Sequence, residues 1–175
     1  MERKWFRFSL LLLLIIPFAS CDTHQRKAPP AVVFHAESLT VPEGNVKKVR
    51  GQVLYVPIYS NLPYMEKKKY DVSAFLAVHN TDLTNQIKIT KVIFFNTDGK
   101  VVKEFLSDAR HLAPLATDIF TVAQEDQSGT GANFIIEWIS DSPVTEPLIE
   151  SVMTNLTGTA GLSFLSHGKI IRELR

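Results

Sequence analysis

The chain has 175 residues, of which 19 are basic, 18 are acidic and one is cysteine. A nearly balanced charge gives no broad basic surface for nucleic acid, and a single cysteine excludes a disulfide framework within the chain. These properties indicate one domain that is stabilised by its hydrophobic core.

The first twenty residues have the composition of an export signal. Basic residues precede an uncharged run from Phe8 to Cys21. As a helix, that run would span roughly 21 Å, which is less than the ~30 Å hydrocarbon core of a bilayer. A basic start, a short apolar segment and small residues at its end predict a signal peptide over residues 1–20.

The only cysteine, Cys21, directly follows Ala19 and Ser20. This stretch resembles the lipobox of bacterial lipoproteins. The resemblance implies that the Cys21 thiol is lipidated, with palmitate as an expected acyl chain, and that the signal is cleaved before it. An ordinary signal peptide with an incidental cysteine is the alternative. Without residues 1–20 the chain keeps 16 basic and 17 acidic residues.

A polar tether follows over residues 21–30, where CDTHQRKAPP ends in two prolines and shows no apolar period. We expect membrane lipid to be a partner through Cys21, and the protein to lie in the cell envelope, facing the periplasm or the exterior. Asp22 resembles the signal that keeps enteric lipoproteins in the inner membrane, so we expect that membrane. A polar tether residue without a sorting role is the alternative.

Residues 31–175 show the alternation typical of strands, interrupted by turn residues every 8 to 15 positions. In residues 51–60, GQVLYVPIYS, Pro57 predicts a sheet edge or a bulge. Residues 71–81, DVSAFLAVHNT, place Val72, Ala74, Leu76 and Val78 on one face.

Residues 86–106 predict a hairpin with a tight primed turn at Asp98-Gly99. Further strands are predicted in 116–124, 132–140 and 146–156, followed by a last pair joined at His167-Gly168. This spacing predicts one all-β domain, an antiparallel β-sandwich of seven to nine strands that is immunoglobulin-like by analogy.

The glycine-rich stretch QEDQSGTGANFIIEW, residues 124–138, has two interpretations. A phosphate-binding loop needs a helix N-terminus after its glycines. Here the glycines precede an alternating, strand-forming sequence, so we predict a turn between strands. The same alternation places Phe134, Ile136 and Trp138 in the core.

Several segments resemble one bacterial family in order along the chain, domain of unknown function 3124. They are GQVLYVPIYS (51–60), HNTD (79–82), FFNTDGK (94–100), LAPLAT (112–117), SGTGANFIIEW (128–138) and EPLIESVM (146–153). The resemblance runs from about Gly51 to Ile171. It implies a small exported or lipid-anchored protein and supplies no catalytic residues.

Candidates for chemistry each have a structural alternative. The histidines His24, His35, His79, His111 and His167 show no metal-ligand spacing. The repeated Asn-Thr-Asp at 80–82 and 96–98 could bind calcium, but Asx turns are favoured. Ser163, Ser166 and His167 lack a nucleophile-elbow motif. We therefore expect no metal, no cofactor and no catalytic residue.

The sequence favours a non-catalytic binding or structural module of the envelope. Exposed aromatic residues beside a lysine run, in PYMEKKKY, suit a protein or glycan partner. We predict a binding edge that contains Tyr55, Tyr59 and Tyr64. The alternative is a small envelope hydrolase that uses Glu137 or a histidine, with Glu137 either a desolvated acid or paired with a Lys or Arg.

Overall fold

The computed structural model describes residues 33–35, 37, 39, 46–64, 66, 68–124, 126–157 and 161–174. This part of the chain is nearly all β, with antiparallel sheets in a sandwich-like arrangement, which confirms the predicted fold class. The strands are β1 (Lys48–Pro57), β2 (Asn61–Tyr64), β3 (Lys68–Asp71), β4 (Ser73–His79), β5 (Ile87–Phe95), β6 (Val101–Glu104), β7 (Arg110–Leu112), β8 (Thr117–Val122), β9 (Asn133–Thr145), β10 (Leu148–Asn155), β11 (Leu162–His167) and β12 (Lys169–Glu173).

The chain divides into two compact units, Met1–Phe34 and His35–Arg175. Only Val33 and Phe34 are described in the first unit, so the predicted signal peptide, the tether and Cys21 lie outside the described residues. Among the described residues, no helix has the length and apolar character needed to cross a membrane.

Two sheets build the sandwich. The larger has the order β12-β1-β9-β5-β6, with β7 also paired to β5, and the smaller has the order β11-β10-β4-β8. A separate two-stranded sheet contains β2 and β3. The two large layers are in contact, since Ser151 Oγ in β10 donates a hydrogen bond of 2.6 Å to the carbonyl of Pro57 in β1.

The core lies between the two sheets, where both contribute alternate side chains. The predicted inward residues are buried: Val72, Ala74, Leu76 and Val78, and in β9 Phe134, Ile136 and Trp138. Phe105, just after β6, meets Phe120 of β8 edge to face, with ring centroids 5.7 Å apart. The predicted faces are therefore confirmed, because alternation brings these side chains to one side of each sheet.

A bulge in β5 positions a polar residue on the outer face of the larger sheet. Ile89 lies opposite Trp138 and Lys91 lies opposite Glu137, so Thr90 is the extra residue. An extra residue reverses the facing of all later side chains. The buried positions of β5 change accordingly from odd numbers before the bulge to even numbers after it.

The strand that contains Pro57 is not an edge strand as a whole, but Pro57 itself lies beyond the end of the neighbouring strand β12. β1 is a central strand, between β12 and β9, and Pro57 is its last residue. β12 pairs with β1 only from Gln52 to Tyr55. The missing N–H of Pro57 therefore interrupts no pairing with β12, which is the condition under which a strand accepts proline.

The hairpin predicted over residues 86–106 is present, since β5 pairs with β6, but its turn differs from the predicted primed type. Gly99 has a φ of 73° while Asp98 has no positive φ. The carbonyl of Asn96 accepts a 3.0 Å bond from the Gly99 N–H. This is a type I turn followed by a glycine in the left-handed region, the usual form for a longer hairpin loop.

The last two strands meet at His167-Gly168 as predicted, but they do not pair with each other. β11 pairs with β10, whereas β12 pairs with β1, so the chain passes from one sheet to the other at this corner. Over the described residues, the two large sheets together contain ten strands, so the predicted number of seven to nine is too low. β7 has only three residues, which is too short for alternation to identify.

Candidate functional site

The β2–β3 hairpin forms one wall of an open apolar cleft. Leu62 pairs with Tyr70 and Tyr64 pairs with Lys68, so these four side chains share one face of the hairpin. The cleft has a volume of about 450 Å³, and its lining consists of Leu62, Pro63, Tyr64, Tyr70, Gly161 and Leu162. An apolar floor, two tyrosines and a nearby ammonium group can hold a ligand that combines apolar and polar parts.

The three tyrosines predicted as a binding edge occupy different surroundings. Tyr64 is 53% exposed and lines the cleft. Tyr55 is at the outer face of the larger sheet, between Lys169 and Ile135 of the neighbouring strands. Tyr59 is half-buried, with its ring 5.9 Å from that of Phe164. Tyr64 therefore shares its cleft with Tyr70, which sequence reasoning did not single out.

The glycine-rich loop supports the base of this hairpin. Ser60 Oγ donates to Asp126 Oδ1 at 2.6 Å, and Thr130 Oγ1 donates to Asn61 Oδ1 at 2.8 Å. β9 begins directly after the loop, at Asn133. The predicted turn between strands is thus confirmed, and no helix N-terminus follows the glycines to hold a phosphate.

Gly129 is required where this loop meets the β5–β6 turn. Its φ is 96°, and a Cβ on it would overlap the Thr97 hydroxyl. Thr97 Oγ1 donates to the Ser128 carbonyl at 2.9 Å and accepts from the Gly131 N–H at 3.0 Å. The close approach and the positive φ together favour glycine at this position.

Glu137 makes a local contact in the larger sheet. Its Oε1 accepts a hydrogen bond of 2.7 Å from Thr90 Oγ1, the hydroxyl at the β5 bulge. Thr90 Oγ1 also lies 3.1 Å from the Glu137 carbonyl. Lys91 is opposite Glu137 in the register, but the hydrogen-bond partner of the carboxylate is Thr90. The bulge accounts for this polar contact, since it places the Thr90 hydroxyl on the outer face beside Glu137.

Two histidines that are far apart in sequence flank one carboxylate on the smaller sheet. Glu150 Oε1 lies 3.8 Å from His79 Nε2, and Glu150 Oε2 lies 3.5 Å from His167 Nδ1. Thr117 Oγ1 is 2.8 Å from His79 Nδ1. A separation of 3.8 Å exceeds a hydrogen bond. In the part of the chain that is described, no group of three or more His, Cys, Asp or Glu residues could hold a metal ion.

The hydrolase candidates Ser166 and His167 point in opposite directions. Ser166 pairs with the buried Ser151, whereas His167 pairs with Glu150 on the outer face. Neighbouring side chains of a strand face opposite sides, so Ser166 and His167 do not form a nucleophile–base pair. The sequence predicts His167 at the junction between the last two strands, whereas β11 extends to His167 and so places the two side chains on opposite faces.

Asp82 has the most buried carboxylate among the described residues, with an exposed fraction of 1%. Burial opposes its charge, but hydrogen bonds from the N–H groups of Thr145, Thr84 and Asn85 and from Lys48 more than offset burial. They hold the pKa of the Asp82 carboxyl well below its usual value. This carboxylate has a structural role, because several donors already occupy both oxygens.

The structure thus defines an antiparallel β-sandwich that carries a tyrosine-lined cleft. The chain belongs to the family described as Protein of unknown function (DUF3124), whose model matches residues 51–171. No curated protein matches the sequence. The chain is similar to the crystal structure of Thermotoga maritima 1070, with a TM-score of 0.41 and 13% identity. The similarity covers 69% of this chain and 93% of that chain.

Proposed function

We propose that this protein is a lipid-anchored, non-catalytic binding module of the cell envelope. The observation that carries the proposal is the open cleft between the β2–β3 hairpin and Leu162, together with the export signal and Cys21 in the sequence. Its partner is an envelope protein or glycan that contacts Tyr64.

The shape and chemistry of the cleft support a binding role. Ligand sites are commonly concave, mainly apolar and about 300–1,000 Å³ in volume, with a few polar groups that orient the ligand. This cleft has a volume of about 450 Å³ and lies beside Lys68, which makes no hydrogen bond or ion pair with the described residues. Tyrosine adds a large rigid contact area and a hydroxyl, which suits binding surfaces.

The hydrogen bonds of two buried or half-buried carboxylates support a non-catalytic function. Glu137 accepts a hydrogen bond from Thr90, and the buried carboxylate of Asp82 is bonded to its own connection, to β9 and to Lys48 of β1. A general base needs a position within hydrogen-bond reach of the proton it removes. Groups that already hold the fold together are poor candidates for that role.

The anchor is tested by substituting Cys21. The Cys21→Ala chain should lose its lipid label and accumulate with its signal uncleaved, because the lipidated cysteine defines the cleavage point. Two or more acyl chains are needed for stable anchoring, so the variant should also leave the membrane if it is cleaved elsewhere. An unmodified N-terminus in the intact mass of the wild-type protein would contradict the anchor.

The membrane is tested through Asp22, which we propose to retain the protein in the inner membrane. The Asp22→Ser chain should move to the outer membrane fraction of a sucrose gradient. Identical sedimentation of the wild type and the variant would show that Asp22 is not the sorting signal.

The cleft is tested by placing a benzoylphenylalanine photo-crosslinker at Tyr64 in the full chain in living cells. We expect a defined cross-linked product, and a Tyr70→Ala substitution in the same chain should lower its yield by about fivefold or more, as for an aromatic hot spot. Val101, exposed on β6 in the other part of the domain, is the matched control position. Equal products from positions 64 and 101 would overturn the cleft as the binding site.

A further inference from the structure

The outer face of the smaller sheet has few charged side chains. The pairing of β8, β4, β10 and β11 places fourteen side chains on it: Thr117, Ile119, Thr121, Ser73, Phe75, Ala77, His79, Leu148, Glu150, Val152, Thr154, Ser163, Leu165 and His167. Glu150 is the one carboxylate in this set, and the set contains neither lysine nor arginine. Interface centres are depleted in charged residues, whereas ordinary surfaces are rich in them.

Large apolar side chains on this face are open to solvent. Ile119, Leu148 and Leu165 are all exposed, and they come from three different strands. Phe75 of β4 and Val152 of β10 lie opposite each other on the same face. Phe75, Val152 and Leu165 thus form one apolar row across β4, β10 and β11, and exposed apolar surface of this kind marks a contact region.

The outer face of the larger sheet differs in its charged residues. Lys169 lies beside Tyr55, Arg172 lies beside Val53, and Lys91 lies opposite Glu137. Because both sheets belong to one sandwich, solvation alone does not explain why one outer face carries lysine and arginine and the other does not.

We propose that the outer face of the smaller sheet is a dimer interface, on which a second copy of this chain packs about a two-fold axis. A two-fold interface requires a self-complementary surface. The cluster of Glu150, His79 and His167 provides this property, since it contains a carboxylate and two imidazoles. His167 is 65% exposed and its Nδ1 lies near its own Glu150, which leaves Nε2 for the Glu150 of the partner copy.

The size of the face is consistent with a weak homodimer. Four strands about 4.8 Å apart and about seven residues long form a face of roughly 19 by 23 Å. Two such faces bury about 900 Å² in projection, and more once the relief of the side chains is included. Stable interfaces bury about 1,200–2,000 Å² in total, so the projected area of this pair is below that range, among weak and transient contacts. The inference does not depend on the cleft of the β2–β3 hairpin.

The dimer is tested in cells with a photo-crosslinker at Ile119 in the full chain, co-expressed in two forms with different affinity tags. The expected product has twice the mass of the mature tagged chain and contains both tags. Adding Leu165→Asp should reduce this product by about tenfold or more, since a buried unpaired charge costs more than the ~1.4 kcal/mol that a factor of ten represents. Leu148→Asp is a second variant with the same expectation.

Val101→Asp is the matched control, because Val101 is exposed on the other sheet and should leave the product unchanged. Thermal unfolding of each variant checks that the exposed substitution leaves the domain folded. The proposal is overturned if no product carries both tags, if the cross-link joins only a different protein, or if Leu165→Asp and Leu148→Asp behave like Val101→Asp in folded protein.

Discussion

The tripeptide Asn-Thr-Asp follows β4 at residues 80–82 and follows β5 at residues 96–98. In the first copy, Asp82 is the centre of the contacts, with one oxygen bonded within its own connection and the other to Thr145 at 2.8 Å. In the second copy, Asp98 is exposed, and Thr97 makes the contact with the neighbouring loop.

The two asparagines also differ in how far along the chain their hydrogen-bond partners lie. Asn80 Nδ2 lies 2.9 Å from the carbonyl of Asn85 and 3.2 Å from that of Leu112, so it joins its own connection to the end of β7. Asn96 Oδ1 accepts bonds from the N–H groups of Asp98 and Lys100, both within its own turn. Identical residues therefore form a link between elements in one place and a local cap in the other.

The comparison shows that burial and distant partners decide the contribution of an Asx residue to stability. When a surface hydrogen bond is lost, water takes the place of the missing partner. When a buried group loses its partner, no water can reach it, and the group stays unpaired. Substitutions at matching positions of the two copies should therefore differ most where the difference in burial is largest.

The largest effect is expected for Asp82→Asn. The substitution removes the charge next to Lys48 and leaves backbone N–H groups facing an amide, so it should lower the free energy of unfolding by about 3–4 kcal/mol. Chemical denaturation at pH 7 measures the change. A loss below ~1 kcal/mol would show that the Asp82 carboxylate is not the centre of this end of the sandwich.

The pH dependence of stability gives a second test of the Asp82 carboxylate. The pKa of Asp82 is lowered in the folded state, so its stabilisation is complete well above the unfolded-state pKa of about 3.9 and is lost as the pH falls towards the folded-state value. The free energy of unfolding of the wild type should fall more steeply below about pH 4 than that of Asp82→Asn. Parallel curves for the two proteins would contradict the low pKa.

A smaller loss is expected for Asn80→Ala, of about 2–3 kcal/mol. Its amide faces the carbonyls of Asn85, Leu112 and Ala113, and its Oδ1 accepts from the Asp82 N–H. Removing the amide leaves buried acceptors unpaired. The matched substitution Asn96→Ala should cost about 1 kcal/mol, because its turn is open to water. Equal losses in urea unfolding would remove the distinction between the two copies.

Thr97→Val should cost about 1–2 kcal/mol. The valine keeps the shape of the side chain but removes the acceptor of the Gly131 N–H and one of the two donors to the Ser128 carbonyl. Amide hydrogen exchange at Gly131 should become faster in the variant while the strands of the core remain protected. Unchanged exchange there would show that the Thr97 hydroxyl does not hold the loop.

The smallest effect is expected for Asp98→Asn, within about 0.5 kcal/mol of the wild type. The Asp98 side chain is exposed and the turn uses only its backbone N–H, which asparagine retains. This variant is the direct control for Asp82→Asn, since the chemical change is the same. A loss comparable with that of Asp82→Asn would mean that removing the charge, rather than the buried partners, causes both effects.

The sequence by itself determined the fold class and much of the core. The alternation in DVSAFLAVHNT and ANFIIEWIS places inward residues correctly, since side chains of a strand alternate whatever its partner is. The loop before β9 and the hairpin between β5 and β6 were also predictable, because glycine and Asx residues act through their own backbone. These are properties of short segments.

Only the tertiary structure decided which strands become neighbours and where polar side chains meet. The partners of Asp82 include Lys48 and Thr145, which are 34 and 63 positions away along the chain. The cleft requires Leu162 beside Tyr70, and the polar cluster on the outer face of the smaller sheet requires His79 and His167 on either side of Glu150. No local pattern specifies these contacts, because strand order depends on how all the apolar faces are buried together.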